Sequence, residues 1–115
     1  MDTSAWQTWL QHPLPGRPPR HIHLVGIGGS GLSAIARVLL QMGFQVSGSD
    51  RQDSATLAEL RTLGATIFVG HAALQVAGAD LVLISSAVPA DNPEVAAALA
   101  AAIPVVKREA FLAAL

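Results

Sequence analysis

His21-Ile22-His23-Leu24-Val25-Gly26-Ile27-Gly28-Gly29-Ser30-Gly31 reads as a short strand running straight into a glycine-rich turn. Leu32, Ile35, Ala36, Val38 and Leu39 follow at helical spacing, so the turn opens a helix from about Ser30 to Met42, with Gly43 as its stop. A G-x-G-x-x-G motif alone says little, but between a strand and a helix it has a mechanism. Gly26 permits the tight turn, Gly28 lets the backbone approach a pyrophosphate, and Gly31 lets the helix pack closely on the strand. The free N–H groups at the helix start then face the anion. Gly26, Ile27, Gly28, Gly29, Ser30 and Gly31 are thus candidate phosphate-binding residues, and a merely tight strand–helix turn is the competing reading.

The same alternation continues along the chain. Phe44 to Gly48 reads as a second strand. A helix capped by Asp53 or Ser54 carries Leu57, Leu60 and Leu63 and ends at Gly64. Ala65 to Val69 is a third strand, followed by a weak helical turn near Ala73 to Ala77. Leu81 to Ser85 is an unbroken apolar run of the buried parallel kind. Asn92-Pro93-Glu94 starts a helix with a capping side chain, a proline at N1 and an acid near the positive helix end. That helix reaches about Ala102, Ile103 to Val106 forms a fifth strand, and Arg108 to Leu115 opens another helix. Strands alternating with helices predict an α/β, Rossmann-like fold: a parallel five-stranded sheet in the order 3-2-1-4-5, with helices on both faces. Ligands bind such sheets outside the carboxyl ends of the strands, at the gap between strands one and four.

Composition agrees with a doubly covered sheet. Of 115 residues, 51% are hydrophobic but only 4% aromatic, so the core must be aliphatic. A net charge of −1 offers no basic footprint for nucleic acid. The absence of cysteine removes disulfide frameworks and thiolate metal sites. No basic leader precedes a long apolar segment, and the longest apolar run, Val95 to Ile103, is too short to span a bilayer. A soluble cytoplasmic protein with no nucleic-acid or membrane partner is expected. Residues 1–20 stand apart from the domain at 21–115. Trp6, Trp9 and Leu10 suggest a short helix starting near Thr3 or Ser4, and Pro13, Pro15, Gly16, Pro18 and Pro19 a stiff linker. That helix is expected to dock on the domain and bury its tryptophans, a partner-binding arm being the alternative. The chain stops inside a helical pattern, as a fragment of something longer would.

Further candidates lie at the strand ends. Asp50, 24 positions after Gly26, ends the second strand beside the first, where a ribose hydroxyl is expected; a solvated loop residue is the competing reading. Ser85 and Ser86 face the glycine turn across the gap, with hydroxyls for phosphate or sugar, and His71 follows the third strand within reach of a base or sugar edge. His21 and His23 lack a Cys, His or carboxylate partner at ligand spacing and are given no metal role. There is no G-x-x-x-x-G-K-[ST] loop for ATP, and no nucleophile–base pair or paired carboxylates stand out, so no catalytic or metal-binding residue is assigned.

His21-Ile22-His23 leading into Val25-Gly26-Ile27-Gly28-Gly29-Ser30-Gly31-Leu32-Ser33, then Val46-Ser47-Gly48-Ser49-Asp50, resembles the N-terminal domain of the UDP-N-acetylmuramate–L-alanine ligases of the Mur ligase family. Gly70-His71, Ser85-Ser86-Ala87-Val88, Asn92-Pro93-Glu94 and Ile103-Pro104-Val105 extend the resemblance over residues 21–115. It implies a three-domain enzyme of peptidoglycan synthesis that joins L-alanine to the lactyl carboxyl of UDP-N-acetylmuramate, activated by ATP and Mg²⁺. Those cofactors would belong to the central domain, so this domain needs none and is expected to be inactive alone. It would hold the uridine diphosphate end: the Gly26–Gly31 loop at the diphosphate, and Asp50, His71, Ser85 and Ser86 around ribose, uracil and sugar. Its partners would be the central ATP-binding and C-terminal domains of the parent. An NAD(H)-binding or sensing module is the rival reading, and a non-binding Rossmann-like scaffold a third.

Overall fold

A computed structural model describes residues 5–11 and 19–115. The helix start near Thr3 or Ser4 and most of the proline-rich linker fall outside the described residues. The sheet has five parallel strands, β1 (His21–Val25), β2 (Gln45–Asp50), β3 (Thr66–Val69), β4 (Leu81–Ile84) and β5 (Val105–Lys107), in the order β3-β2-β1-β4-β5. The helices are α1 (Ala5–Gln11), α2 (Ser30–Gln41), α3 (Ala55–Thr62), α4 (Pro93–Ala100) and α5 (Arg108–Ala114), with a 3₁₀ turn at Ala73–Val76. This is a Rossmann-like fold, as the alternation predicts. Among the described residues, no helix is long and apolar enough to cross a membrane.

Local chemistry sets the boundaries. Ser54, rather than Asp53, caps α3, its side chain accepting from the Leu57 N–H at 3.2 Å. Asn92 caps α4, accepting from the N–H groups of Glu94 (2.9 Å) and Val95 (3.4 Å) ahead of Pro93. Helix α4 stops at Ala100, before the expected Ala102, whose φ of 58° lies in the left-handed region. Strand β2 runs two residues past the expected Gly48, because Ser49 pairs with Val25 and Phe68, and Asp50 with Val69.

Strand alternation divides the interior. Ile22, Leu24, Val46, Leu81, Leu83 and Val106 join the apolar sides of α1, α2, α3 and α5 on one face. Val25, Val82, Ile84 and Val105 meet Val76, Val95 and Ala98, from the 3₁₀ turn and α4, on the other. Trp6 is buried and stacked on Phe111 of α5, with ring centroids 5.8 Å apart, while Trp9 is half-buried against Phe44. The N-terminal helix therefore docks on the domain.

Candidate functional site

In an all-parallel sheet every strand ends at the same edge, so the residues that follow β1 to β5 share one rim. The glycine turn after β1 takes shape through Gly26, whose φ is 83° and whose N–H bonds the Ser49 carbonyl at 2.8 Å. The Gly29 N–H closes back on the Gly26 carbonyl at 3.0 Å. The Gly28 N–H donates to Asp50 Oδ2 at 2.9 Å, and the other Asp50 oxygen accepts from the Arg51 N–H at 2.8 Å. Helix α2 has no side-chain cap, and the N–H groups of Ser30, Gly31 and Leu32 have no acceptor among the described residues. These three, rather than that of Gly28, are the amides left for an anion.

Two glycine roles differ from expectation. A Cβ on Gly28 would stand 2.8 Å from Asp50 Oδ2, so this glycine makes room for a carboxylate. The nearest atoms to a Cβ on Gly31 would belong to the flexible Arg108 side chain, with its Cδ at 3.2 Å and its Cζ at 3.3 Å. The approach too close for a side chain lies instead at Gly48 of β2, which packs on the glycine turn and on β1: a Cβ there would lie 2.6 Å from Ile27 Cδ1 and 2.8 Å from the Leu24 carbonyl oxygen.

Arg108, the first residue of α5, thus lays its guanidinium against the start of α2. Its one ion pair among the described residues is a 3.5 Å contact with neighbouring Glu109. Only the fold joins Arg108 to a loop near residue 30, and no local sequence signal marks it. Ser85 is half-buried and Ser86 exposed at the end of β4. Neither hydroxyl, nor that of Ser30, has a protein partner among the described residues.

Beneath the rim lies a polar cluster that spacing along the chain could not assemble. His23 and Glu94 are fully buried and in direct hydrogen-bond contact, although 71 residues apart. The carboxylate partner that ligand spacing along the sequence did not offer His23 thus arrives through the fold, from α4. His23 Nδ1 also meets Ser47 Oγ at 2.7 Å, and the same hydroxyl meets His21 Nε2 at 2.6 Å. Ser49 donates to Glu94 Oε1 at 2.9 Å, while Glu94 Oε2 faces His71 Nδ1 and the Ala72 N–H, each at 3.1 Å. Burial by itself would push the Glu94 carboxyl up. Hydrogen bonds from His23 and Ser49, the charge of His23 and the Ala72 N–H outweigh it and hold the group below the ordinary carboxylate range. Burial pushes His21 down, aided by His23, against the Gly78 carbonyl and Asp80. Alternation supplied a partial signal: His21 and His23 on one strand share a sheet face with Ser47 and Ser49 on the next. Among the described residues, no group of three or more His, Asp or Glu side chains is arranged to hold a metal ion.

Residues 21–115 match the family model described as "Mur ligase family, catalytic domain". The chain belongs to the Mur ligase family. A relative named UDP-N-acetylmuramate–L-alanine ligase, from Variovorax paradoxus, is 58% identical over 94 residues, covering 82% of this chain and 19% of the relative. The crystal structure of the UDP-N-acetylmuramate–alanine ligase of Thermotoga maritima superposes with a TM-score of 0.77 at 40% identity, over 80% of this chain and 21% of that one. The crystal structure of the UDP-N-acetylmuramate:L-alanyl-γ-D-glutamyl-meso-diaminopimelate ligase from Neisseria meningitides gives a TM-score of 0.75 at 29% identity, over 82% of this chain and 30% of that one. The chain spans about a fifth of the length of the L-alanine ligases it matches.

Proposed function

We propose that this chain is the N-terminal substrate-binding domain of a peptidoglycan-precursor ligase, holding the uridine diphosphate of UDP-N-acetylmuramate while L-alanine is added to the lactyl carboxyl. The observation that carries the reading is the rim of the glycine turn in a member of this family: three open amides at the start of α2, with Arg108 against them. Amides and guanidinium together suit a dianionic diphosphate, because N–H dipoles and a fixed cation both favour negative charge.

In this reading Ser30, Ser85 and Ser86 donate hydroxyls to phosphate or sugar. Each Asp50 oxygen already accepts one backbone N–H and keeps a second lone-pair site for a ribose hydroxyl. His71 stands beyond β3 for the nucleoside. ATP and Mg²⁺ are assigned to the parent's central domain, since the chain carries no P-loop sequence. Peptidoglycan synthesis in the cytoplasm is the setting this function requires.

Parallel calorimetric titrations with UDP-N-acetylmuramate, UDP, NAD and ATP test the assignment. Binding of both uridine ligands is expected, and at a hundredfold excess over Kd it adds about 2.7 kcal/mol of stability. Binding of NAD without binding of UDP overturns the reading in favour of a dinucleotide module.

A further inference from the structure

The buried cluster lies below the phosphate loop, and holding a diphosphate does not require it. Its centre is the Glu94 carboxylate, to which His23, Ser49, His71 and the Ala72 N–H all turn. The Gln75 amide, with its nitrogen facing the carboxylate, adds a donor at 3.0 Å. Burying a charged pair costs desolvation that an apolar pair avoids, so the cluster is poorly explained as a device for stability.

The cluster fixes one ring in particular. Ser49 gives its single hydroxyl proton to Glu94, so its oxygen can only accept from His71 Nδ1, which lies 2.8 Å away. Glu94 Oε2, on the same nitrogen, can also only accept. Nδ1 of His71 must therefore carry a proton. Nε2 has no partner among the described residues, where no polar side-chain atom is both buried and unpaired, so Nε2 is open to solvent. His71 directly follows Gly70, whose N–H bonds the Asp50 carbonyl at 2.6 Å, and this bond sets the ring at the rim.

We propose that Glu94 is a positioning residue: it holds His71 with Nδ1 inward, so that Nε2 presents a lone pair at the rim and accepts an N–H or O–H of the nucleoside. This rests on the uridine-ligand reading above and narrows it. A phosphate oxygen, which only accepts, gains nothing at this nitrogen. A hydroxyl or imide N–H does.

Three measurements test the proposal. Nitrogen-15 spectra of the histidine-labelled chain, free of ligand at neutral pH, should show His71 protonated at Nδ1 and bare at Nε2. A proton on Nε2 overturns the proposal. Titration with UDP should show His71→Ala weakening binding roughly 2- to 12-fold, the value of one neutral hydrogen bond. Glu94→Ala should weaken it by the same factor and cost nothing further when added to His71→Ala. An equal loss from Glu94→Ala in both backgrounds overturns the proposal, because Glu94 then acts without His71.

Should Glu94→Ala not fold, Glu94→Gln replaces it. Its amide nitrogen must face one of the two histidines and reverse that ring's tautomer. UDP affinity then falls only if the reversed ring is His71, and a fall without reversal overturns the proposal. A His71→Ala loss seen with UDP but not with 2′-deoxy-UDP assigns the 2′-hydroxyl as the donor, and a loss with both assigns another nucleoside group. If wild type binds no UDP, the functional reading fails, and the ligand-free spectrum still decides the orientation of His71.

Discussion

The two faces of the sheet are built on different principles. On one, apolar side chains from four strands and four helices exclude water and make no directional demands. On the other, the apolar cluster covers β4 and β5, and beneath β1 and β2 it gives way to histidines, serines and one carboxylate. The first face needs only volume and pattern, and tolerates swaps that keep both. The second needs particular atoms in particular places. It ties the first turn of α4 to the ends of β1, β2 and β3, on which the rim is built.

The contrast breaks most visibly at Glu94. Glu94→Ala leaves buried His23 without its acceptor and is expected to cost about 3–5 kcal/mol of stability. Leu24→Ala, on the opposite face, should cost about 2–5 kcal/mol through a cavity. Thermal or urea unfolding measures both. The faces part company in rescue: Glu94→Met combined with His23→Leu should recover the part of the loss owed to the unpaired His23 and no more, because Ser49, His71 and the Ala72 N–H still lack their acceptor. Failure of the double variant to recover would mean that the cluster is needed for the fold itself.

Arg108 tests the rim that both faces support. Losing one charge-assisted hydrogen bond to a diphosphate should cost Arg108→Ala about 1.5–3 kcal/mol, or roughly 10- to 150-fold in UDP affinity. Because Arg108 is partly exposed, the deficit should shrink as salt is raised. An affinity equal to wild type would remove Arg108 from the site.

Glycines offer a smaller, steric comparison. Gly48→Ala pushes a methyl into Ile27 and the Leu24 carbonyl, and overpacking of this kind costs about 1–3 kcal/mol. Gly31→Ala only displaces the end of Arg108, and should leave the unfolding midpoint near that of wild type while weakening UDP binding. The reverse order of stabilities would return the packing role to Gly31.

Acid should reach the polar face first. His21, held down chiefly by burial, resists a proton that the unfolded chain takes up near about pH 6.5, so stability falls as pH drops below that value. Glu94 is held low in the fold, so its contribution is complete above about pH 4.3 and is lost as pH falls through its folded value. Melting temperature followed against pH should therefore decline in two stages, and Glu94→Gln should flatten the lower one. An unaltered lower stage would mean that other carboxylates carry it.

The fold was legible because its signals are local. Glycine after an apolar strand, leucines at helical spacing and Asn92-Pro93-Glu94 each fix an element within a few residues, and the parallel alternation leaves few orders for the strands. The open start of α2 was legible for the same reason. Arg108 was not, since its proximity to Gly31 arises only when α5 returns beside α2. Glu94 was read as an acid at a helix start, which it is, but the direction of its side chain depends on His23 and His71 arriving from two strands. Gly28 was read for a phosphate because the motif is silent on whether Asp50 takes that N–H first.

One contact made before the first strand bears on where this domain ends. Phe111 is sealed from solvent by Trp6, and Gln11 Nε2 of α1 donates to the Ala114 carbonyl at the end of α5 at 2.6 Å. The cation at the rim stands on a helix that the N-terminal segment covers at Phe111 and at its C-terminal end. A chain cut to begin at His21, where the family match starts, would uncover that aromatic ring and loosen the footing of Arg108. The homologous boundary and the physical one therefore differ by a helix.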